Sequence, residues 1–368
     1  MANKSVRRVL KGAVVRTPGF ASRTTRNAGA SVTCMLLLLL LSAGGAAAQN
    51  VLAKIPIPAT SVGGQVVVNK VLNRVYVSAG FSSGGTLTVV DGNSLTVLTT
   101  LSNSNGVNID IANDNFWTAN FDTGQVLTYS GSTNAQVSAT TTGFCPAETA
   151  FDCKNRRFWV GAQCGAGNDP VFVFNADTFA LIAGPIATGG TLGPIVVNPF
   201  NGKLEVQSGG VTKEVNPTTF AVTSTTLGTV LASDEHKSKL FATSGNNLQI
   251  INSANDNVDY TIALGYTPGS QIAVNNALRH IYLLNPAANK VEVRAITAVA
   301  NPTDVRGQFI NTFPLGTGNT PQGIASDAIR GRIYVVVNNA GSYSVWAMED
   351  STSVRQCDYV NKGNGNGE

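Results

Sequence analysis

Residues 66–77 read VVVNKVLNRVYV. A short apolar run leads into Asn69, a basic residue (Arg74) stands five positions later, and an apolar–aromatic–apolar triplet centred on Tyr76 closes the frame. The same twelve-residue frame recurs without gaps as VNIDIANDNFWT (107–118), TAFDCKNRRFWV (149–160) and IVVNPFNGKLEV (195–206). It appears again as LASDEHKSKLFA (231–242), IAVNNALRHIYL (272–283) and IASDAIRGRIYV (324–335). The Asn/Asp anchors are Asn69, Asp110, Asp152, Asn198, Asp234, Asn275 and Asp327, spaced by 41, 42, 46, 36, 41 and 52 residues.

Each part of the frame has a physical role. The first apolar run reads as a buried strand. Asn or Asp opens the turn because its side-chain oxygen can accept from backbone N–H groups two residues on. The second strand alternates around Tyr76, Trp117, Trp159, Phe241, Tyr282 and Tyr334. Third strands are expected at 87–91, 171–175, 248–252 and 343–346, and fourth strands at places such as 95–101 and 220–227. Four strands in a repeat of this length are the period of a propeller blade. Helical solenoids share the period but need a 3.6-residue pattern, and the abundance of Gly, Thr and Asn argues against them.

The two ends of the repeat array complement one another. VLAKIPIP at 51–58 reads as a fourth strand with no first three before it, and the seventh repeat lacks a fourth. Strand 51–58 is therefore expected to complete the last blade and close the ring, which leaves no open sheet edge. The fold class expected is all-β: a seven-bladed β-propeller of four antiparallel strands per blade over residues 49–360.

The frame resembles the YVTN-type repeat of exported bacterial and archaeal β-propellers, through NRVYVSAG (73–80) and LTVVDGNSLTVLTTL (87–101). The resemblance extends over almost the whole repeat array, with copies 2 to 5 more divergent. It implies a propeller in the periplasm, cell envelope or medium, and a binding or surface role rather than one fixed activity.

Residues 1–48 read as an address. They carry seven Lys and Arg and no acid, then the apolar run Met35–Leu41 and SAGGAAAQ. That is the layout of a secretory signal peptide, with cleavage expected after Ala48. Without residues 1–48 the chain holds 18 basic against 21 acidic residues, a net charge of −3. Such a surface offers no electrostatic footprint for nucleic acid or an anionic membrane. Four cysteines follow the leader, an even number that suits two disulfides in an exported chain. Cys145 with Cys164 is the expected first pair, tying the entry of blade 3 to its long loop at 161–170. Cys153 with Cys357 is the pair left over. Residues 361–368 read as a flexible polar tail.

Candidate chemistry is sparse. His236 and His280 are the only histidines, too few for a multi-His metal centre. No metal and no cofactor are expected. His280 occupies the basic slot of its repeat. Propellers bind at the channel mouth, where the innermost strands begin, four residues before each anchor. Gln65, Glu148 and Gln271 stand there, with Gly106, Pro194, Val230 and Gly323 in the other repeats. These three polar residues are the candidate ligand site. Glu205 replaces the aromatic of the second strand in repeat 4. It marks either a frayed, exposed strand or a partly buried carboxylate of raised pKa, suited to acid–base work or ion binding. The insertion near 295–312 is the longest loop and a second place for binding.

The function expected is a non-enzymatic binding or interaction platform, a monomer with a protein or small-molecule partner and no membrane span once the leader is removed. The alternative is a lactonase-like hydrolase working at the channel mouth. Fold alone does not separate the two.

Overall fold

A computed structural model of the chain describes residues 50–58, 64–80, 83–165, 167–234, 238–296 and 307–350. The leader 1–48, the tail, Cys357 and His236 lie outside the described residues, as does most of the insertion in blade 6. The ends of that expected loop are strand: Lys290–Ala295 and Phe309–Pro314 are the third and fourth strands of blade 6.

Among the described residues, twenty-eight strands form seven antiparallel four-stranded sheets. The innermost strands are Val66–Asn69, Asn105–Asp110, Pro146–Asp152, Leu192–Val197, Thr229–Asp234, Ile272–Asn275 and Asn319–Asp327. Each packs beside the innermost strands of both neighbouring blades, which closes them into a ring. Blade 7 has the order Asn319–Asp327, Arg332–Asn339, Ser342–Glu349, then Val51–Ile57. Ile55 pairs with Val345 and Ile57 with Tyr343, so the N-terminal strand supplies the missing fourth strand as the sequence predicts.

The repeat frame is explained residue by residue. The anchor side chain accepts from the turn: Asn69 Oδ1 takes the N–H groups of Val71 and Leu72, and Asp327 Oδ1 those of Ile329 and Arg330. The fourth residue after each anchor is left-handed in all seven copies: Asn73, Asp114, Arg156, Gly202, Ser238, Arg279 and Gly331, with φ between 50° and 74°. The aromatics fill the seams between blades. Tyr76, Trp117, Trp159, Phe241, Tyr282 and Tyr334 are all essentially inaccessible, and Trp117 stacks on Phe158 at 4.4 Å. Burying side chains of this size supplies most of the driving force for blade association.

In five of the seven blades the basic slot staples one blade to the next; blade 2 has Asn115 there, and Lys239 of blade 5 pairs with Asp259 of its own fourth strand. Arg74 of blade 1 donates to the Gly131 carbonyl and, at 2.8 Å, to that of Ser132, in the outer turn of blade 2. Arg157 of blade 3 donates to the Pro217 carbonyl of blade 4. Arg332 of blade 7 donates to the Gly92 carbonyl of blade 1 at 2.6 Å, across the ring closure. His280 of blade 6 meets Asp350 at the end of blade 7's third strand, Nδ1 to Oδ2 2.7 Å, and Tyr282 Oη donates to the same oxygen at 2.6 Å. His280 is thus a buried seam residue.

One strand is shorter than expected. The fourth strand of blade 4 covers Val222–Ser224 only, rather than 220–227. Phe220 turns back through a left-handed φ of 57° to pack near Trp159, which takes it out of the extended run.

Candidate functional site

The ring of innermost strands surrounds a cavity of about 570 Å³. Gln65, Glu148 and Gln271 all line it, with Asn108, Ser233 and Ser270 among the other polar groups. Val66, Ile195, Leu231, Ile272 and Ile324 contribute apolar wall. Asp152, Cys153 and Lys154 reach the same cavity from the first turn of blade 3.

The inner strands of blades 2, 3, 5 and 7 are bulged where the cavity opens, and those of blades 1 and 6 are regular. Pairing slips by one residue between Asn105 and Val107, between Pro146 and Glu148, between Val230 and Ala232, and between Pro321 and Gly323. A bulge re-aims the side chains on either side of it. Gln65, leading into the unbulged inner strand of blade 1, reaches across a whole blade. Its Oε1 accepts from Val107 N (2.9 Å) in blade 2 and from Thr149 Oγ1 (2.7 Å) in blade 3. Its Nε2 donates to Glu148 Oε2 and to the Thr149 carbonyl, both at 3.0 Å. The passage is open because blade 2 has Gly106 there. A Cβ at Gly106 would overlap the Ala147 carbonyl oxygen and crowd Gln65 Oε1, and its φ of +55° disfavours any side chain. Gln271 repeats the device. It accepts from Ile324 N at 3.0 Å in blade 7 and donates to the Gly64 carbonyl that leads into blade 1, past Gly323.

Two of the three residues picked from the sequence therefore act first as latches between inner strands. The sequence showed glutamines and glycines at one repeat position. It could not show that each glutamine crosses the glycine of the next blade.

Glu148 is the chemically unusual group of the cavity. Burial pushes its carboxyl from an ordinary 4.5 up to about 8, so the neutral acid dominates at pH 7. The rest of the channel wall is mostly amide, hydroxyl and aliphatic, with Asp152 and Lys154 at the first turn of blade 3. Asp152 accepts from Asn155, and Lys154 donates to the Phe200 carbonyl at 2.9 Å.

Cys145 and Cys164 form a disulfide with their Cα atoms 5.1 Å apart. It fastens the entry of blade 3 to the loop after Arg157–Ala162, on the cavity-mouth side. Cys153 is exposed in the first turn of blade 3.

Glu205 lies elsewhere, in the seam between blades 4 and 5. The strand Leu204–Ser208 is intact and Glu205 is 1% exposed, so the frayed-strand reading does not hold. Burial first, then the charges of Glu214 and Asp256, raise its carboxyl to about 8. Glu214 is its cross-strand partner, and Asp256 comes from the outer turn of blade 5. Lys203 Nζ donates to Glu214 Oε2 at 2.6 Å and to Asp256 Oδ2 at 3.0 Å. Burial alone would lower that ammonium's pKa, but the two carboxylates outweigh it and hold it at about 12.

One segment escaped the sequence reading. Gly80-Phe81-Ser82-Ser83-Gly84 spells the Gly-x-Ser-x-Gly pattern of a nucleophile elbow. Such an elbow needs a strand-to-helix turn. Here the segment joins two antiparallel strands, Arg74–Ala79 and Thr86–Asp91, and its central Phe81 and Ser82 lie outside the described residues.

No family model matches the chain, and no curated protein does. The fold is similar to solved propellers. The β-propeller domain of Cps50 (Swd1) from Myceliophteria thermophila superposes with a TM-score of 0.63 at 9% identity, over 81% of this chain and 99% of that one. At that identity the likeness concerns fold alone. Among the described residues no helix is long and apolar enough to cross a membrane.

Proposed function

We propose that this chain is an exported propeller of the YVTN type that works as a non-enzymatic binding module, with the central cavity as its ligand site. The observation that carries the reading is the cavity itself: about 570 Å³, enclosed by inner strands that Gln65 and Gln271 latch in place. A preformed, rigid cleft with mixed apolar and polar walls is the general form of a small-ligand site. With Glu148 neutral near pH 7, the other acid and base of the lining, Asp152 and Lys154, offset one another, so the wall offers hydrogen bonds without net charge. The ligand class that fits is an uncharged polar molecule with an apolar face, or a short neutral segment of a protein partner. Export rests on the leader at 1–48. The Cys145–Cys164 disulfide supports it, since such bonds persist in oxidising compartments. The location is the periplasm, the envelope or the medium, and the chain acts as a monomer.

A hydrolase at the same mouth would use Glu148 as its proton carrier, because a carboxyl near pKa 8 can both donate and accept near neutral pH. The two readings part in one experiment. Ligand-observed NMR is run with a panel of uncharged polar compounds on the wild type and on Ser233→Trp, which fills the cavity from blade 5. Lactone hydrolysis is measured in parallel. Binding that Ser233→Trp abolishes, without turnover, supports the module. Turnover that falls in Glu148→Gln replaces it with the enzyme.

A further inference from the structure

Glu205 stands where six other blades bury an aromatic ring, and neither of its carboxylate oxygens has a hydrogen-bond partner. A carboxyl placed in a protein seam without partners is costly in either protonation state. Natural folds keep such a group when something else completes it. The neighbours say what that would be. Oxygens of Glu205, Glu214 and Asp256 all lie within 4.8 Å of one another. Ligand oxygens of a calcium ion sit about 2.3–2.6 Å from it, so two of them are separated by no more than about 5 Å. Three carboxylates that converge this closely, one of them buried and unsatisfied, match a hard divalent cation.

We propose that the seam between blades 4 and 5 binds one hard divalent cation, calcium in the first instance, through the carboxylates of Glu205, Glu214 and Asp256. Lys203 is the tethered occupant of that place when the cation is away. Its ammonium bonds Glu214 and Asp256 but not Glu205, and its side chain is 29% exposed, so it has a route to swing outward. The exchange conserves the seam. Lys203 is the basic-slot staple of blade 4 onto blade 5, and a cation shared by Glu205, Glu214 and Asp256 would bridge the same two blades. Asn198 holds Asp256 ready by donating to its Oδ1 at 3.1 Å while also donating to the Ser253 carbonyl at 3.0 Å. An all-oxygen donor set selects calcium or manganese over softer metals. The expectation of no metal rested on the scarcity of histidine, and this site uses none.

The test is isothermal titration calorimetry of the EDTA-treated full chain with CaCl2 and with MnCl2, together with its melting temperature in each. The expected result is one equivalent bound per chain and a melting temperature that rises with cation concentration. Glu205→Gln keeps the shape and removes a ligand charge, and it should lose at least about tenfold in affinity. Lys203→Met removes the competing ammonium and should bind at least about tenfold more tightly. Circular dichroism identifies either variant as folded, and the Lys203→Met arm stands alone should Glu205→Gln fail to fold. Absence of heat and of any melting shift in the wild type at millimolar cation overturns the site. Equal affinity in wild type and folded Glu205→Gln overturns it as well.

Discussion

Glu148 provides a sharp test of how the cavity wall is built. Burial raises its carboxyl from 4.5 to about 8. The folded protein therefore binds this proton more tightly than the unfolded chain does. Between those two values the native state holds more protons than the unfolded state, so stability must fall as pH rises. The contribution is intact below about pH 4.5, declines through the window up to about 8, and is flat above it. Each tenfold change in proton affinity is worth about 1.4 kcal/mol, so the loss between pH 5 and pH 9 is on the order of 4 kcal/mol. Glu148→Gln isolates this from every other titrating group. The amide is the same shape, and its oxygen can still accept from Gln65 Nε2, now 3.0 Å from Glu148 Oε2. Urea unfolding of both proteins, followed by fluorescence of the buried Trp117 and Trp159, gives the difference at each pH. The two should be close in stability at pH 5. At pH 9 the glutamine variant should lead by roughly 4 kcal/mol. Parallel stability curves across the window would refute the burial of Glu148, and a wild type that gains on the variant with rising pH would refute the sign.

Three further outcomes are expected. Gly106→Ala should destabilise by more than about 2 kcal/mol, because its Cβ meets backbone of blade 3 in the Gln65 passage, while Gly84→Ala, with a similar φ but open space, should lose only about 1 kcal/mol in the same unfolding assay. Asp350→Ala leaves His280 and Tyr282 facing a buried gap, and thermal melting should show a loss of about 3 kcal/mol at the blade 6–7 seam. Peptide mapping without reduction should recover Cys145 joined to Cys164, and Cys164→Ser should lower stability by about 3 kcal/mol for a loop of 19 residues. A free Cys164 thiol in that map contradicts the first part.

Much of the ring was legible because the repeat is physical. A strand, an Asx turn, a basic slot and an aromatic each answer a local need, and seven copies make the need visible. Even the closure by 51–57 followed from counting strands. The left-handed fourth turn residue was harder to see. Asn, Asp, Arg, Ser and Gly share that place, and only their common φ unites them. What the cavity residues do was not legible at all. Gln65 looks like a solvated loop end until Gly106 is seen to leave its path open toward blade 3. Glu205 stood out as an intruder among aromatics, but the company it keeps comes from Asp256, on another blade. Side-chain partners across a seam are set by the rotation between blades, which the repeat frame does not encode.

The central claim is that the latched cavity holds a ligand. Native mass spectrometry of the protein purified from its own source, beside Ser233→Trp purified in the same way, tests it most directly. The expected result is a non-covalent added mass on the wild type that is absent from the folded variant. Equal added mass on both proteins would place the ligand outside the cavity, and a bare wild type at the concentration of its source would contradict the binding role.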